Sequence, residues 1–533
     1  MFIEIEDIKR RYNFDFREYA CPRDEFSHLF DEWAGYYHLK FAVCKLINPK
    51  NILEVGFRYG YSAITFLSAA ENATYLGIDD KTTHGVSTEA LDWAKKITAG
   101  FNAEFLIMDT QRMETFPGDF YDLINIYGQQ DADRTFRELE LALEKGQWIL
   151  LDGFFQLIGS SFESRENYNL FSAALFLSKY RHQIEYAFIL PGHVGELLIK
   201  TKNTPEKRVF KKTGKSAQDL KECYTMQYYM TDCGGYKSFK ASRGKCLDDM
   251  RLQIVYNLAQ PLAGKKVLDV GCGRGELAFA CAQEGADATG VDYSQSAVDI
   301  ANNYYSGYIG SNLRFVCKDI LELTSEHHSF DIVLATDVIE HIPENEFGTF
   351  LQTIRSLMGI SGKFIIHTSP NKLMYQHFYE RKRQMAKEIG TYLPENPRSY
   401  YEDLVHVNEQ TPAALTHSLG GVFPHVLVWS THLPDAVGSL SATLSHEELI
   451  QHESIFAVAA SEPIKKEDII MAISQYRMNL HKLNAAIKTF PRHITLPPEE
   501  KRSFPAIVTS TSALLARIVW YTLRTIYYKV VKR

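Results

Sequence analysis

Residues 266–292 read KVLDVGCGRGELAFACAQEGADATGVD. An apolar run leads into an acid and three glycines at alternating positions, and a helix-like segment and a second short apolar run that ends in Asp292 follow. Glycines suit a sharp turn after a strand because they adopt left-handed backbone conformations and carry no Cβ that would block a ligand. The stretch therefore predicts a strand, a glycine turn, a helix and a strand.

The spacing of this turn indicates which ligand it would take. Asp269, Gly271, Gly273 and Gly275 form a DxGxGxG pattern, which resembles the first motif of class I S-adenosylmethionine-dependent methyltransferases and differs from the GxGxxG of dinucleotide-binding folds. An acid about 20 residues after such a turn can accept hydrogen bonds from both ribose hydroxyls of an adenosine. The resemblance implies that these four residues and Asp292 bind S-adenosylmethionine.

Three further stretches follow in the order that this family has. FVCKDI at 315–320 predicts a strand that ends in Asp319, and the resemblance implies that this acid lies near the adenine amine. FDIVLATDVIEHI at 330–342 resembles the fourth strand of the family and the turn after it, and residues 363–367 predict a fifth strand. The fold class implied is α/β, with a doubly wound Rossmann-like sheet.

The first half of the chain repeats the theme. NILEVGFRYGYSAITFLS at 51–68 carries Glu54, Gly56 and Gly60 in corresponding places, and a second strand ends near Asp79, but Arg58 replaces the middle glycine. The ExGxxxGxS pattern resembles a branch that includes sugar O-methyltransferases and relatives of cephalosporin hydroxylases. Members of that branch have an acid after the fourth strand, where Tyr127 begins YGQQ here. Two interpretations stay open: a domain that binds S-adenosylmethionine through these four residues, or a scaffold that kept its glycines for the turn.

The whole chain is thus predicted to hold two doubly wound Rossmann-like domains and a helical C-terminal tail. The predicted boundaries are 1–202 for the first domain, 203–222 for a linker, 223–462 for the second domain and 463–533 for the tail. The second domain carries an insertion at 371–412, which we expect to act as a lid or an acceptor-binding element because it leaves the carboxyl edge of the sheet. Arg381, Lys382, Arg383 and Arg398 in this insertion are candidates for holding a phosphate or carboxylate. For the Arg-Lys-Arg run at 381–383 the alternative is a solvated helix face.

Composition limits the classes of function. The 533 residues carry a net charge of −7, which gives no reason to expect a nucleic-acid partner. The eight cysteines are scattered without a CxxC pair, which favours a reducing, cytoplasmic location. The charged N-terminus lacks the apolar core of a signal peptide, and no uncharged stretch is long enough to suggest a membrane span.

Methyl transfer to a hydroxyl needs a group that removes the acceptor's proton, and histidine suits this task near neutral pH. The candidates are His341 after the fourth strand, His367 at the end of the fifth, and His406 in the insertion, where Glu409 is spaced to orient the His406 ring. No His, Cys and carboxylate cluster with metal spacing stands around 337–341, so we expect metal-independent transfer.

The acceptor is inferred from resemblance. HVNEQTP at 406–412 resembles a segment of bacterial methyltransferases encoded with polysaccharide assembly. This implies a sugar or glycan hydroxyl as acceptor, in a lipid-linked or soluble form. The alternatives are a phosphate or another small-molecule acceptor, and a platform protein in glycan assembly with at most one active domain.

Residues 510–533, STSALLARIVWYTLRTIYYKVVKR, predict an amphipathic helix with an apolar stripe opposite four basic residues. Such a helix suits an anionic membrane surface, on the inner face for a cytoplasmic enzyme. The alternative is a terminal helix that docks on the protein's own core or on a second copy of the chain, as a homo-oligomer.

Overall fold

The computed structural model describes residues 1–474, except 81–86, 128–131, 154–167, 191–194, 207–220, 311, 324–328, 390, 434–436, 438–439 and 441–443. Within this part both predicted domains belong to one compact unit that spans 1–476. The predicted helix at 510–533 and most of the predicted linker lie outside the described residues. Within the described residues, none of the helices combines the length and the apolar character that crossing a membrane requires.

The first domain is built on a seven-stranded sheet. Its strands are β1 (Asn51–Val55), β2 (Thr74–Asp79), β3 (Ala103–Ile107), β4 (Tyr121–Ile126), β5 (Gly146–Asp152), β6 (Ile184–Leu190) and β7 (Glu196–Thr201). They lie in the order β3-β2-β1-β4-β5-β7-β6. The first five are parallel, and β7 runs antiparallel between β5 and β6.

Helices cover both faces of this sheet, which is why its central strands are nearly all apolar. They are α1 (Phe2–Arg11), α2 (Phe30–Ile47), α3 (Tyr61–Ala69), α4 (Thr88–Ile97), α5 (Ala132–Lys145) and α6 (Tyr168–Lys179), with 3-10 turns at Phe16–Tyr19, Ser27–Leu29, Thr110–Arg112 and Arg181–Gln183. One apolar cluster joins α2 and α3 to the sheet, and another joins α5 and α6 to it.

The second domain repeats this topology. Its strands are β8 (Lys266–Val270), β9 (Asp287–Asp292), β10 (Leu313–Cys317), β11 (Phe330–Thr336), β12 (Met358–Thr368), β13 (His425–Thr431) and β14 (Ser454–Ala460). Their order is β10-β9-β8-β11-β12-β14-β13, with β14 antiparallel to both neighbours. The predicted fold class, two doubly wound α/β domains, is confirmed.

The helices of the second domain fall into three groups. A lead-in contains α7 (Met226–Thr231), α8 (Tyr236–Ser242) and α9 (Met250–Ala259). The sheet carries α10 (Glu276–Gln283), α11 (Gln295–Tyr304), α12 (Glu344–Leu357), α15 (Pro412–Gly420) and α16 (His446–Leu449), with 3-10 turns at Ile320–Glu322 and Ile339–His341. The insertion contains a π-helical turn (Met374–Phe378), α13 (Tyr379–Glu388) and α14 (Tyr400–Val405).

Two features of this architecture position the candidate site. In each sheet the strand order reverses between the first and fourth strands, so a crevice opens at their carboxyl ends, where α/β sheets bind ligands. The insertion of the second domain packs against the first domain, since the Tyr392 side chain is buried in the α5–α6 cluster. The predicted lid is therefore also a contact between the two domains.

Candidate functional site

In the glycine turn after β8, every second residue from Gly271 to Gly275 has a left-handed backbone conformation. The φ angles are +62° at Gly271, +50° at Gly273 and +85° at Gly275. A Cβ at Gly271 would lie 2.7 Å from Val338 Cγ2, and one at Gly275 would lie 2.6 Å from Phe315 Cε1, so both positions are closed by packing. A Cβ at Gly273 would meet nothing closer than 3.6 Å. Gly271 and Gly275 thus allow close packing of the neighbouring side chains. At Gly273 the backbone carries no side chain that would block a ligand, and the nearest group is the Tyr229 ring.

Two acids lie at the turn. Asp292 at the end of β9 accepts the Gly273 N–H at 3.0 Å through Oδ2 and the Ser294 N–H at 2.8 Å through Oδ1. Asp269 is buried, and its Oδ2 has no hydrogen-bond partner among the described residues. Burial raises the pKa of Asp269 to about 8. A buried carboxylate oxygen without a partner is uncommon, and it fits a site that awaits a polar ligand.

The third predicted acid is engaged elsewhere. Asp319 caps the 3-10 turn after β10 by accepting the Leu321 N–H at 3.1 Å, and Lys221 Nζ lies 2.9 Å from its other oxygen. An adenine amine that donates to Asp319, as predicted, would therefore have to share this carboxylate with Lys221 or displace the Lys221 ammonium. That role stays a prediction.

The lead-in lies over the glycine turn. Tyr229 is the residue nearest to the position of a Gly273 Cβ, and its hydroxyl is 3.5 Å from Asp292 Oδ1. Arg274, inside the turn, donates to the carbonyl oxygens of Tyr229 at 2.9 Å and of Gly234 at 2.6 Å, which fixes the lead-in on the turn. The lead-in therefore covers the glycine turn and the acid beneath it.

Two of the three candidate histidines meet. His341, in the turn after β11, has its Nδ1 3.2 Å from the Val405 carbonyl oxygen, and its ring centroid is 4.9 Å from that of His406. His406 Nδ1 lies 3.3 Å from Glu409 Oε1, the orientation that the sequence predicts. Both rings are thus held through Nδ1, which leaves each Nε2 for other contacts.

Glu409 is itself held from the other side. Arg398 donates to Glu409 Oε1 at 2.8 Å and to Oε2 at 2.5 Å. Although burial acts to raise it, the pKa of Glu409 is lowered to about 2 by the hydrogen bonds from His406 and Arg398. Arg398, proposed from the sequence as a group for a phosphate or carboxylate ligand, is here bound to a carboxylate of the protein.

Glu340 completes a cluster with the two histidines. Ligand atoms of Glu340, His341 and His406 all lie within 4.8 Å of one another, and Glu340 Oε2 accepts the Thr368 hydroxyl at 2.9 Å. Burial, followed by the neighbouring His406, lowers the pKa of His341 to about 3, which keeps that ring neutral and able to act as a ligand. Two imidazoles and a carboxylate are a donor set that divalent transition metals accept.

The expectation that no cluster of metal-ligand type stands around 337–341 holds along the chain but is wrong in three dimensions. Glu340 and His341 are joined there by His406, which comes from beyond β12. Metal-independent transfer itself stays a prediction.

The third histidine has a structural role. His367 is fully buried, and its Nδ1 lies 2.6 Å from Asp337 Oδ1. Asp337 also accepts from Arg251. The charges of Arg251 and His367 outweigh the burial of Asp337 and hold its pKa well below the usual range. This buried network fixes the end of β12 and leaves His341 and His406 as the candidates for proton transfer.

A cavity of about 630 Å³ borders the His406–Glu409 pair. Polar side chains supply much of its wall, among them Glu344, Gln352, Lys372, Arg398, Asn408, Thr411 and His417. Its volume lies within the range of about 300–1,000 Å³ that small-molecule sites occupy.

The first domain has the same backbone turn, with an arginine in place of the middle glycine. Gly56, Arg58 and Gly60 have φ angles of +87°, +46° and +78°. Asp79 accepts the Arg58 N–H at 2.9 Å, as Asp292 accepts that of Gly273. The Arg58 guanidinium lies 4.3 Å from the centre of the Phe26 ring, so a side chain covers the position that is open in the second domain.

Aromatic side chains line a small cavity beside the turn of the first domain. Its volume is about 70 Å³, and its wall includes Trp33, Tyr36, Tyr37, Phe57, Tyr59, Tyr61 and Tyr127. Lys40, also in the wall, pairs with Asp152 at 2.6 Å, and both side chains are 1% exposed. Glu54 is buried and accepts from Tyr75 and from Asn125 Nδ2, so the acid before the turn is satisfied by the protein.

Sequence reasoning missed three residues of the site. Glu340 and Thr368 received no role from the sequence, and Arg398 was assigned to a ligand instead of to Glu409. The position of Glu340 beside the candidate base His341, directly after a buried strand, was a usable signal, because the carboxyl ends of the strands border the crevice.

Residues 267–362 match the family model described as a methyltransferase domain. A ubiquinone biosynthesis O-methyltransferase from Coxiella burnetii (strain Dugway 5J108-111) is 33% identical over 150 residues, which are 28% of this chain and 61% of that protein. One from Bordetella avium (strain 197N) is 36% identical over 99 residues, 18% of this chain and 41% of that protein. The chain thus spans less than two thirds of the length of these curated relatives.

Solved structures are matched at lower identity. The magnesium protoporphyrin IX methyltransferase from Synechocystis PCC 6803 with bound SAH is 18% identical, with 44% of this chain and 92% of that chain covered and a TM-score of 0.29. An S-adenosylmethionine-dependent methyltransferase from Listeria monocytogenes is 16% identical, with 40% of this chain and 99% of that chain covered and a TM-score of 0.30.

Proposed function

Because residues 267–362 form a methyltransferase domain of the class I, S-adenosylmethionine-dependent type, we propose that the second half of this chain transfers a methyl group from S-adenosylmethionine to a hydroxyl of a small molecule. The observation that carries the proposal is the glycine turn. A Cβ added at Gly273 would touch only the Tyr229 ring, at 3.6 Å, and Asp292 accepts the Gly273 N–H at 3.0 Å.

Five residues of the chain would hold the cofactor. Gly271, Gly273 and Gly275 let the backbone approach it, and Asp292 accepts from its ribose hydroxyls. Asp269, a neutral acid near pH 7, has a buried carboxyl oxygen without a partner at the base of the turn. When bound, S-adenosylmethionine supplies an electrophilic methyl group. Tyr229 has to shift from its contact above Gly273 for the turn to be reached.

His406 is proposed as the base that takes the acceptor's proton. Its Nδ1 faces Glu409, whose low pKa keeps it ionised, so the Nδ1–H tautomer is favoured and Nε2 carries the lone pair. The resulting imidazolium is stabilised by the same carboxylate. His341, beside it, is the alternative base, although burial lowers its pKa to about 3 and makes it a weak base.

The finer proposal is that the acceptor is a sugar or glycan, soluble or lipid-linked. The cavity beside His406 supports it, because carbonyl, amide and charged groups in the wall suit a molecule with several hydroxyls. The curated relatives are named for ubiquinone biosynthesis, so an acceptor of that kind is the second candidate. A phosphate acceptor is third, since Arg398 is already neutralised by Glu409.

A divalent cation is an alternative occupant of the Glu340, His341 and His406 cluster, and it would replace the proton-taking role of His406. A bound cation lowers the pKa of a coordinated hydroxyl. Dialysis against EDTA followed by assay separates the two chemistries: retained activity supports the side-chain base, and loss that Mn²⁺ or Mg²⁺ restores supports the cation.

The first domain is proposed as a scaffold without a cofactor. The Arg58 side chain lies over the Phe26 ring at the middle position of the turn, and Glu54 before the turn already accepts hydrogen bonds from Tyr75 and Asn125. A non-catalytic platform made of both domains is the competing proposal, and the open second turn speaks against it.

Titration of the full-length protein with S-adenosylhomocysteine in a calorimeter tests this proposal. We expect one site per chain. Two sites would refute the scaffold role of the first domain, and no binding would refute cofactor use altogether. Radiolabelled S-adenosylmethionine offered with nucleotide sugars, bacterial glycolipid extract or ubiquinone precursors then identifies the acceptor.

For the tail we propose attachment to an anionic membrane surface on the cytoplasmic side, based on the charge pattern of 510–533. Deleting residues 506–533 is expected to abolish sedimentation with phosphatidylglycerol vesicles while a soluble acceptor is still methylated. If the truncated protein still sediments, the anchor proposal is wrong; if it changes from dimer to monomer in ultracentrifugation, the tail instead joins two copies.

A further inference from the structure

The insertion that carries His406 and Glu409 is fastened to the first domain at its outer end. The Tyr392 hydroxyl donates to Asp133 Oδ1 at 2.9 Å, and Arg383 donates to Asp133 Oδ2 at 2.6 Å. Tyr392 is only 8% exposed, and its ring lies 6.2 Å from that of Phe136 on α5. One carboxylate in the first turn of α5 thus receives two donors from the insertion.

A second fastening lies immediately before the histidine. Asp403 Oδ2 on α14 is 3.3 Å from Lys179 Nζ at the end of α6, and the Tyr400 ring is 5.9 Å from that of Tyr180. Lys179 is 7% exposed and so is largely desolvated. An ion pair in such surroundings is less screened than one on an open surface.

The two fastenings reach the site through one short helix. The helix α14 has six residues, and a helix of that length is not stable without tertiary contacts. Its last carbonyl, at Val405, accepts from the His341 ring, and the next residue is His406, whose N–H donates to Glu402 in the same helix at 2.9 Å. A change in the register of α14 would therefore move both rings.

We propose that Lys179, Tyr180 and Asp133 of the first domain are positioning residues for the reaction of the second domain, because they fix the helix that places His406 beside His341. The first domain then contributes to turnover without binding the cofactor or the acceptor. The expected effect on turnover rests on the proposed function. The docking of the insertion on the first domain does not depend on that function.

Two substitutions break the contact. In Lys179→Met, Asp403 loses its cationic partner and keeps the Asn396 amide, while Glu140 of the first domain loses the same cation. In Asp133→Ala both donors of the insertion lose this acceptor. Lys179→Arg keeps the charge and serves as the conservative rescue. Glu89→Ala is the matched control, since Glu89 is a carboxylate of the same domain whose ion pair, at 2.9 Å, is with Arg23 of that domain.

Hydrogen–deuterium exchange on the full-length protein reads the docking directly. In the double variant Lys179→Met/Asp133→Ala we expect amides of 396–410 to exchange about tenfold faster or more, as local opening becomes easier, while 266–292 keep their wild-type rates. Carbethoxylation of His406, mapped by mass spectrometry against the exposed His28, should rise in parallel. Lys179→Arg and Glu89→Ala should match the wild type.

A second readout concerns function. The affinity for S-adenosylhomocysteine should stay within twofold, whereas kcat should fall about 10- to 100-fold with an unchanged KM for S-adenosylmethionine, since small misplacements of a catalytic group are costly. Unchanged exchange at 396–410, or faster exchange throughout the chain, would overturn the positioning role. If the wild type neither binds the nucleoside nor transfers methyl, the proposed function fails, and the exchange data still decide the docking.

Discussion

The two glycine turns of this chain have the same backbone conformation and differ in the residue at the middle position. Each has three left-handed positions and an acid from the next strand that accepts the N–H of the middle residue. In the second domain that residue is Gly273, where an added Cβ would touch only the Tyr229 ring of the lead-in, at 3.6 Å. In the first domain it is Arg58, whose side chain lies over the Phe26 ring. The shared turn is a feature of the fold, and we propose that the residue at its middle position distinguishes a ligand site from a scaffold.

The largest effect is expected at the base. His406→Ala should lower turnover by about 10² to 10⁴ with unchanged affinity for S-adenosylhomocysteine, because we propose that the ring takes the acceptor's proton and does not bind the cofactor. Steady-state kinetics and calorimetry on the same preparation check this. Full activity would move the role to His341.

In the first domain we expect a substitution in the crevice to change the stability of the protein and not its cofactor affinity. Lys40→Met removes one partner of an ion pair that is 1% exposed on both sides, so unfolding free energy should fall by about 3–5 kcal/mol. Chemical denaturation measures it. Cofactor affinity should not change at temperatures where the variant is folded; a selective loss of affinity would show that the crevice of the first domain is a ligand site after all.

The paired acids give the sharpest comparison. Asp292→Ala should weaken S-adenosylhomocysteine binding by about 1.5–3 kcal/mol, since charged hydrogen bonds to the ribose are lost. The equivalent substitution Asp79→Ala should leave the affinity as it is. Calorimetry of both variants tests the pair, and equal losses would contradict the assignment of the site to the second domain alone.

The pH dependence of stability should report the Glu409 contact. The folded pKa of Glu409 is lowered to about 2 from an ordinary value of 4.5, so its stabilising contribution is fully present above pH 4.5 and is lost as the pH falls toward 2. The melting temperatures of wild type and Glu409→Gln should therefore differ most at pH 6 to 7 and converge in acid. A constant difference across that range would mean that the carboxylate is not held as described.

The smallest effect is expected at the residue that differs between the turns. Arg58→Gly relieves a left-handed non-glycine residue, worth about 1 kcal/mol, but it also loses contacts with Phe26, Asp24 and Glu25, so stability should change little. We still expect no second binding site, because the aromatic wall remains. A stoichiometry of two in calorimetry would mean that Arg58 alone had closed the first crevice.

Sequence reasoning reached the parts of the molecule that local pattern decides. Both sheets and their crevices were predicted from glycine turns, buried apolar strands and the acids at the strand ends. These signals are local, because each lies within one strand and the turn after it. The meeting of His341 with His406 could not be read in this way, since residues beyond β12 return to the crevice only through tertiary packing. Only the spacing of His406 and Glu409 was visible locally.

Charged and aromatic residues of the insertion were misassigned for the same reason. Arg398 and Arg383 were both considered as groups for a ligand, yet Glu409 and Asp133 hold them. An arginine's partner depends on what the fold brings beside it, and a carboxylate from another domain leaves no trace in the neighbouring sequence. Tyr392 and Tyr400, which pack on the first domain, are likewise indistinguishable in sequence from aromatic residues that line a cleft.

The burial of Tyr392 in the first domain also bears on how the protein is made. The chain from Thr201 to Tyr392 takes roughly 10–40 s to translate at about 5–20 residues per second. During that interval the nascent first domain can fold, but the apolar surface around Phe136 and Tyr180 has not yet received the rings that cover it. Slow translation through the second sheet would lengthen the exposure, so chaperone demand during synthesis should depend on how quickly the ribosome reaches the insertion.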